Sequence, residues 1–353
     1  MIENKIVLND ITNIIEEKID WIYFKNKTIM ITGMSGFIIS YFLHTLVLLN
    51  LKKNLNIAII GIVRNKKKFY EKYPFYEKYN FIEIIEQDVS ENIETSKSID
   101  IIIHAASQAS PKYYGNDPVG TLSPNVIGTY NLLIDFGNNL ESFIFISSGE
   151  VYGTVNENEI PTEENIVGKI NHFDIRSCYA ESKKMGENIC LSWNKQFGVP
   201  VKIIRPFHTF GPGMPLDDGR VHCDFVKAIL ENNNIILNSD GKAIRAFCYL
   251  SDFTLGLIYV LIYGKNKEAY NIGNPYNETN IIDLANRITS IFPDKCLSVE
   301  INKAIISDGY IKSPILKNSP SIDKIKLLGW FPKISLDIGF KKTISSYLNL
   351  DYN

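Results

Sequence analysis

The chain has few cysteines, and none are spaced to bind a metal. Its 353 residues include five cysteines, an odd number with no C-x-x-C pattern. This excludes a disulfide framework and a structural zinc site as sequence-based interpretations. We expect reduced thiols and no bound metal.

The sequence also lacks an excess of charge and a long apolar run. It has 37 basic and 39 acidic residues, so no strong field favours nucleic acid or an anionic membrane. The apolar stretch at residues 41–49 is interrupted by His44 and is too short to span a bilayer. The first residues carry acids in place of the apolar segment of a signal peptide. We therefore expect a cytoplasmic protein without nucleic-acid or membrane partners.

What is present is an alternation of short β-branched runs with longer helical patterns. The runs are almost continuously apolar, as expected for parallel strands covered by helices on both faces. This predicts an α/β fold, a Rossmann-type doubly wound parallel sheet with a smaller C-terminal substrate-binding lobe. The predicted strands are residues 28–32, 57–63, 81–85, 101–105, 143–147 and 201–205.

Segments before and after this alternation suggest further divisions. Residues 9–24 place isoleucines at helical spacing after Asn9 and Asp10, which predicts an amphipathic N-terminal helix capped there. A stretch rich in proline and glycine follows Arg205, where we expect a lobe boundary. Beyond it we predict strands at 247–250 and 270–272, and helices at 252–263, 281–291 and 337–348. The predicted division is an N-terminal extension (1–25), a dinucleotide-binding domain (26–205, with 246–272 returning to it) and a substrate-binding lobe (206–245 and 273–353).

A glycine-containing turn follows the first predicted strand. Gly33 and Gly36 lie directly after it and open a predicted helix. Glycine lets the backbone approach a pyrophosphate, and a helix N-terminus favours its charge. We expect a dinucleotide to contact Gly33, Ser35, Gly36, Phe37 and Ile38.

The ends of the next strands add candidates for the same ligand. Arg64 stands where enzymes preferring NAD usually carry an acid, and its charge suits a 2′-phosphate, so NADP is modestly favoured over NAD. A solvated surface arginine is the alternative. After the third and fourth strands, Asp88 with Val89 and Ala105 with Ala106 are candidates to contact the cofactor, whereas we interpret His104 as a packing residue.

A catalytic cluster is predicted from two separated segments. Tyr179 and Lys183 are four residues apart, so they share one face of a helix. A neighbouring ammonium favours a phenolate, and we expect Lys183 to lower the pKa of Tyr179 so that it acts as a base. Ser148, at the end of the fifth strand, can hydrogen-bond the same substrate oxygen.

Glu150 follows Ser148 by two positions. A carboxylate there can reach the carbon next to a newly formed ketone, a group that plain alcohol oxidation does not need. The alternative is a loop residue paired with a cation.

These residues resemble the extended short-chain dehydrogenase/reductase family, in its nucleotide-sugar epimerase/dehydratase/decarboxylase branch. The resemblance covers about residues 26–348 and includes residues 125–131, 147–153, 205–213 and 245–252. Residues 109–111 with Tyr113 or Tyr114, and residues 217–221, look most like UDP-glucuronate decarboxylases. Glu150 is shared with sugar 4,6-dehydratases.

The resemblance implies transient oxidation at sugar C4, chemistry at C5 or C6, and return of the hydride to a nucleotide diphosphate sugar. It places Arg245 on the substrate diphosphate and Asn125 in support of Lys183. It also implies a homodimer formed through a four-helix bundle of residues 118–138 and 176–196. Further implied cofactor-binding residues are Asn125, Ser147, Tyr179, Lys183, Pro206 and His208, and implied substrate-binding residues are Ser110, Lys112, Ser148, Gly149, His208, Arg220 and Arg245.

Four positions depart from the family pattern. Ile39 replaces the third glycine of the dinucleotide turn, where we expect helix–strand packing to loosen or shift. His208 stands at a usual asparagine, and Gly149 replaces the acid of many dTDP-glucose 4,6-dehydratases. Asn318 stands at an arginine of the decarboxylases, two residues before Pro320.

These departures rank the alternatives. Because Glu150 is retained while the arginine at 318 is missing, the sequence favours a 4,6-dehydratase or allied epimerase/dehydratase supplying surface polysaccharides. UDP-glucuronate-type decarboxylation and 4-epimerisation remain open. A non-catalytic dinucleotide-binding protein is the remote alternative, allowed by Ile39 and His208.

Overall fold

The computed structural model describes residues 4–302 and 315–348. Parts of the predicted N-terminal extension (1–3) and substrate-binding lobe (303–314 and 349–353) lie outside the described residues. Among the residues described, no helix is both long and apolar enough to cross a membrane.

Seven parallel strands form the central sheet. They are, in chain order, β1 (Thr28–Thr32), β2 (Ala58–Val63), β3 (Ile82–Glu86), β4 (Ile101–His104), β5 (Ser142–Ile146), β6 (Val201–Pro206) and β11 (Glu268–Ile272). Their spatial order is β11-β6-β5-β4-β1-β2-β3. The order runs outward from β1 in both directions, which is the doubly wound arrangement predicted from the sequence.

Seven shorter strands build the rest of the sheet structure in the described residues. Three small sheets have the orders β10-β7, β12-β9-β14 and β13-β8. The strands are β7 (Thr209–Phe210), β8 (Ile235–Leu237), β9 (Ile244–Ala246), β10 (Cys248–Tyr249), β12 (Glu278–Asn280), β13 (Val299–Ile301) and β14 (Lys317–Asn318).

Helices cover both faces of the central sheet and form the C-terminal lobe. They are α1 (Lys5–Glu16), α2 (Ser40–Lys53), α3 (Lys66–Lys72), α4 (Pro111–Asn116), α5 (Pro118–Ser123), α6 (Thr129–Phe136), α7 (Ser177–Phe197), α8 (Val221–Leu230), α9 (Leu250–Tyr263), α10 (Ile281–Ile291), α11 (Asp323–Lys326) and α12 (Leu336–Leu348). A π-helical turn, Pro124–Gly128, joins α5 to α6, and a 3₁₀ helix, Gly149–Tyr152, follows β5.

Three apolar clusters hold these layers together. One packs α1, α2 and α9 on one face of the sheet, with side chains such as Ile11, Phe42 and Phe253. A second packs α6 and α7 on the other face. The third fills the lobe between α8, α10 and α12. Burial on both faces explains why the strand sequences are almost continuously apolar.

The N-terminal helix begins earlier than predicted. Asn4 caps α1, its side-chain oxygen accepting from the backbone of Ile6 and Val7. The predicted cap at Asn9 and Asp10 is therefore wrong. Asp10 instead lies buried in the interior of the fold.

Asp10 is buried because three other elements supply its partners. Its carboxylate accepts hydrogen bonds from the hydroxyls of Tyr41 on α2 and Tyr249 on β10, at 3.0 and 2.6 Å. The Lys342 ammonium on α12 lies 2.6 Å from the second oxygen. This cluster fastens α1 to the sheet layer and to the lobe.

The chain returns to the central sheet after entering the lobe. β11 pairs in parallel with β6, from Glu268 opposite Lys202 to Ile272 opposite Pro206. α9 packs in the same core as α1 and α2. These contacts support the proposed return of residues 246–272, and the division into domains stays a prediction.

Candidate active site

Gly33 directly follows β1, and its backbone packs closely against the segment that follows β4. Its φ is +65°, and a Cβ added there would lie 2.7 Å from the Cα of Ala106. The Thr32 hydroxyl accepts hydrogen bonds from the backbone of Ala105 and Ala106, which fixes this approach. Gly36 closes the turn by donating to the Gly33 carbonyl at 2.8 Å. A side-chain-free turn of this kind at the end of β1 fits a dinucleotide backbone.

The helix after this turn starts later than predicted. α2 begins at Ser40, with Ile39 as its N-cap residue and without a side-chain cap. Ser40 donates to the Phe37 carbonyl at 3.1 Å, so residues 37–39 form a further turn. The side chain of Ile39 is fully buried in the core. Of the two expected outcomes, looser packing or shifted packing, the structure shows a shift, since the added turn gives this side chain an apolar site.

The other predicted cofactor residues lie along the same edge of the sheet. Arg64 is exposed just after β2. The Asp88 carboxylate accepts from the Ser90 backbone at 2.8 Å. Val89 is buried, and its Cγ1 would lie 2.8 Å from a Cβ added to Gly128. His104, interpreted as a packing residue, is buried, with its ring nitrogens bonded to the Thr32 hydroxyl and the Pro124 carbonyl.

Tyr179 and Lys183 lie one turn apart on α7 and are both buried. The Tyr179 phenol hydrogen-bonds the Ser148 side chain at the carboxyl end of β5. Tyr114 from α4 stacks on the Tyr179 ring, with centroids 5.1 Å apart and planes inclined by 13°. The structure thus brings together the predicted serine, tyrosine and lysine.

The pKa of Tyr179 does not shift in the expected direction. Burial raises it to about 12, and the Ser148 hydrogen bond and the Arg220 charge oppose that rise. Burial also lowers the pKa of Lys183 to about 7, against the charge of Glu187. The Lys183 ammonium donates to the Ile146 carbonyl at 2.6 Å. The predicted lowering of the Tyr179 pKa by Lys183 is therefore wrong here, because a low-dielectric site disfavours both charged forms.

Glu150 enters the same site from the 3₁₀ helix that follows Ser148. Its backbone nitrogen donates to the Ser148 hydroxyl at 3.1 Å. Its carboxylate lies 3.9 Å from the Arg176 guanidinium. The Glu150 charge contributes to the raised pKa values of Tyr114 and Tyr179. Both alternatives for Glu150 thus have support, since it lies near the phenol and also faces a cation.

The ring of Phe207 packs against Gly149 on the side where any other residue would have its Cβ. A Cβ added to Gly149 would lie 3.1 Å from three atoms of the Phe207 ring. That spacing is tighter than ordinary van der Waals contact, so a larger residue requires the ring to move. An aspartate at this position requires the Phe207 ring to shift by a few tenths of an ångström.

Asn125 is fully buried in the π-helical turn. Its amide nitrogen donates to the Thr121 carbonyl and the Ser182 hydroxyl, each at 3.0 Å. It therefore anchors the π-helical turn to α7 beside the lysine. This bond to the residue next to Lys183 is compatible with the support that the resemblance implies, and that role stays a prediction.

The predicted substrate residues after β4 contact the segment before α8. The Ser110 hydroxyl donates to the Asp218 carbonyl at 2.5 Å. The Lys112 ammonium lies 3.1 Å from two oxygens of Asp217. The Asp218 carboxylate is 2.6 Å from the Arg220 guanidinium. These contacts bring the two segments to one side of the cluster.

His208 lies buried near the charges of Arg245 and Arg220. Burial lowers the pKa of His208, with further lowering by Arg245, His222 and Arg220. The Arg245 guanidinium donates to the backbone carbonyls of Ile244, Ile315 and Leu316. Pro206 ends β6 two residues before His208. A neutral histidine flanked by two arginines suits an anionic group such as a diphosphate.

Sequence reasoning missed several residues of this site. Tyr114 was one of two tyrosine candidates, and only the stacking selects it. Arg176 and Glu187 were missed, although both share the helical spacing of Tyr179 and Lys183 and could have been found from it. Arg205 was read only as part of a motif.

The fold and site define a Rossmann-type enzyme of the extended short-chain dehydrogenase/reductase class. A family model described as the NAD dependent epimerase/dehydratase family matches residues 29–273. The chain belongs to this family.

Known proteins similar to this chain fall in the same family. It is 33% identical to UDP-glucuronic acid decarboxylase 1 of Arabidopsis thaliana over 92% of this chain and 71% of that protein. A UDP-glucuronic acid 4-epimerase from Bacillus cereus, solved with UDP-glucuronic acid and NAD, has a TM-score of 0.75 and 24% identity over 90% of this chain and 98% of that one. A dTDP-glucose 4,6-dehydratase from Bacillus anthracis, solved with NAD, has a TM-score of 0.72 and 20% identity over 91% of this chain and 96% of that one. The two structural likenesses establish the fold.

Proposed function

We propose that this enzyme decarboxylates a UDP-hexuronate through transient oxidation at sugar C4. The observation that carries the proposal is the placement of Glu150 beside Ser148 and Tyr179, next to a Gly149 that offers no acid and is packed against Phe207. Decarboxylation of a 4-keto hexuronate needs one proton donor, for C5. Dehydration needs proton transfers at both C5 and C6. The relatives that are 33% identical also carry this activity in their names.

The residues of the chain divide the reaction among them. Tyr179, hydrogen-bonded to Ser148, takes the proton of the C4 hydroxyl. A nicotinamide dinucleotide held at the Gly33–Gly36 turn would supply hydride acceptance from C4 and hydride return to it. When the bond between C5 and the carboxylate breaks, its electron pair remains on C5 and the carboxylate leaves as carbon dioxide. Glu150 then supplies the proton that C5 needs.

Dehydration of a nucleotide hexose is the second candidate. Asn318 favours it, since this residue pairs with Arg245 between β14 and β9 where the decarboxylase pattern has an arginine. In that reaction Glu150 removes the C5 proton and water leaves from C6. Glu150 would then have to act on both carbons.

One assay separates the candidates. The purified enzyme is incubated with UDP-glucuronate and with UDP-, dTDP-, GDP- and CDP-hexoses, and the products are weighed by mass spectrometry. Loss of carbon dioxide from UDP-glucuronate is the expected result. Loss of water from a hexose establishes the second candidate, an isobaric product indicates epimerisation, and no change with any substrate overturns the proposed function.

The cofactor follows from the glycine turn and the exposed Arg64. Both structural neighbours described above were solved with NAD. We propose that the chain binds NAD and that Arg64 adds affinity for the 2′-phosphate of NADP. Calorimetry with the two dinucleotides tests this, and an unchanged NADP affinity in Arg64→Ser contradicts the role of Arg64.

We also propose that two copies pair through α5, α6 and α7 in a four-helix bundle. Apolar side chains are exposed along these helices, as an apolar interface between two copies requires. They include Val119, Ile134, Met185 and Phe197. From the cysteine pattern and the charged first residues we place the reaction in the cytoplasm, and, as the resemblance implies, in the supply of sugars for surface polysaccharides.

A further inference from the structure

Arg205, at the carboxyl end of β6, contacts both halves of the catalytic cluster. Its Nε and one terminal nitrogen donate to the two oxygens of Glu187, at 2.9 and 2.6 Å. The other terminal nitrogen donates to the Tyr152 hydroxyl and the Glu164 carbonyl, each at 2.8 Å. The guanidinium also lies over the Tyr152 ring, 4.8 Å from its centroid. One side chain therefore spans three segments of the chain.

Through Glu187, Arg205 is connected to the helix that carries Tyr179 and Lys183. Glu187 lies on α7 one turn after Lys183 and two turns after Tyr179, and it is buried. It also accepts from the Ser147 hydroxyl at 2.5 Å. Because Ser147 precedes Ser148, this bond fixes the end of β5 against α7.

Through Tyr152, Arg205 is connected to the short helix that carries Glu150. Both residues belong to the short helix Gly149–Tyr152. The Tyr152 hydroxyl accepts from Arg205 and donates to the Asn271 side chain at 2.6 Å. The Glu150 backbone is thereby held to the same arginine as α7.

We infer that Arg205 and Glu187 are positioning residues that hold Ser148 and Tyr179 in fixed register with Glu150, so that the C4 ketone is processed and reduced before it leaves. The inference rests on the proposed function and adds a requirement to it. A planar guanidinium with both carboxylate oxygens bound is a rigid link, whereas an ammonium binds as a point charge. Misplacement by about 1 Å can slow an oriented step by about 10²-fold.

The test measures whether the ketone escapes. Escape releases a UDP-linked 4-ketopentose, one carbon dioxide and one reduced dinucleotide, since the two electrons taken from C4 stay on the cofactor. The absorbance of the reduced nicotinamide and mass spectrometry of the sugar report this together. We expect Arg205→Lys and Glu187→Gln to raise the escaping fraction about tenfold or more over wild type.

A matched control separates positioning from stability. Lys342→Met breaks another buried ion pair, with Asp10, away from the catalytic residues. We expect it to lower the melting temperature and leave the escaping fraction unchanged. Tyr152→Phe removes one hydroxyl and is the milder variant for the connection through Tyr152, and it should also raise escape.

The pH profile gives a second readout. The Glu187 charge raises the pKa of Lys183, so Glu187→Gln should move the acid limb of kcat to lower pH. The control should not move it.

The outcomes distinguish the two proposals. Turnover by the variants with an escaping fraction equal to that of Lys342→Met overturns the positioning role alone. A wild type that releases the ketone in every turnover overturns both the positioning role and the return of the hydride in the proposed function. If the wild type converts no nucleotide sugar, the proposed function fails and this inference fails with it.

Discussion

Gly33 lies directly beneath the backbone of Ala106, with 2.7 Å between that Cα and the place where a Gly33 Cβ would stand. The contact joins β1 to the segment after β4 at the turn we assign to the dinucleotide. It depends on the absence of a side chain and on a positive φ.

Gly33→Ala should therefore abolish dinucleotide binding and lower the melting temperature. The added methyl meets backbone atoms, which cannot rotate away as a side chain can. Calorimetry with NAD and a thermal melt measure the two effects. Gly198→Ala is the control, since Gly198 also has a positive φ, +75°, but has nothing within 4 Å of its added Cβ. It should cost about 1 kcal/mol and leave NAD affinity intact. Equal effects of the two substitutions on affinity would contradict the assignment of the turn.

Glu150→Gln should lower kcat by about 10²- to 10⁴-fold, because it removes an acid–base group while keeping its shape. Binding of the nucleotide sugar should change little. Steady-state kinetics and calorimetry check the split. Glu231→Gln, at an exposed position that ends α8, is the control and should behave as wild type. A Glu150→Gln enzyme that retains full activity would indicate simple epimerisation.

The dependence of kcat on pH should reflect the coupled titration of Tyr179 and Lys183. Below about pH 7 both groups are protonated, and no base is available. Above it the pair has lost one proton, so the phenolate–ammonium form becomes accessible as a minor tautomer. We expect kcat to rise through about pH 7 and to remain high to at least about pH 10. In Lys183→Met the rise should move to higher pH and the maximum should fall. A profile identical to wild type would exclude the coupling.

Asp10→Ala should destabilise the fold by about 3 kcal/mol, since it leaves the Lys342 ammonium buried without its carboxylate. Urea unfolding measures the change in the free energy of unfolding, provided that the m-value is the same for wild type and variant. Glu16→Ala removes an exposed acid from the same helix and should cost less than about 0.5 kcal/mol. A small effect of Asp10→Ala would mean that the three partners do not fasten α1.

Ile134→Glu should convert the proposed dimer into a monomer, because it puts a charge into an apolar interface. Ile134 on α6 is 54% exposed, and Ile236 on β8 is 57% exposed. Ile236→Glu is therefore a control with matched exposure outside the proposed bundle. Light scattering after gel filtration reports the mass. A monomeric wild type contradicts the bundle.

The doubly wound parallel sheet and the Ser148, Tyr179 and Lys183 cluster could be predicted from the sequence. β1 agrees with its predicted bounds, and α10 does as well. Both carry local signals: a strand buried on both faces is apolar throughout, and a helix repeats its apolar residues at a fixed spacing. Helix starts were less accurate, since α1 begins at Lys5 and α2 at Ser40.

The sequence by itself determined the sheet, the glycine turn and which side chains can do chemistry, because these depend on neighbours within a few positions. Only the tertiary structure decided what surrounds them. The Asp10 partners lie 31, 239 and 332 positions away, and Arg205 reaches Tyr152 across 53 positions. The direction of the Tyr179 and Lys183 pKa shifts was decided in the same way, since burial in a low-dielectric interior is a property of the packed fold.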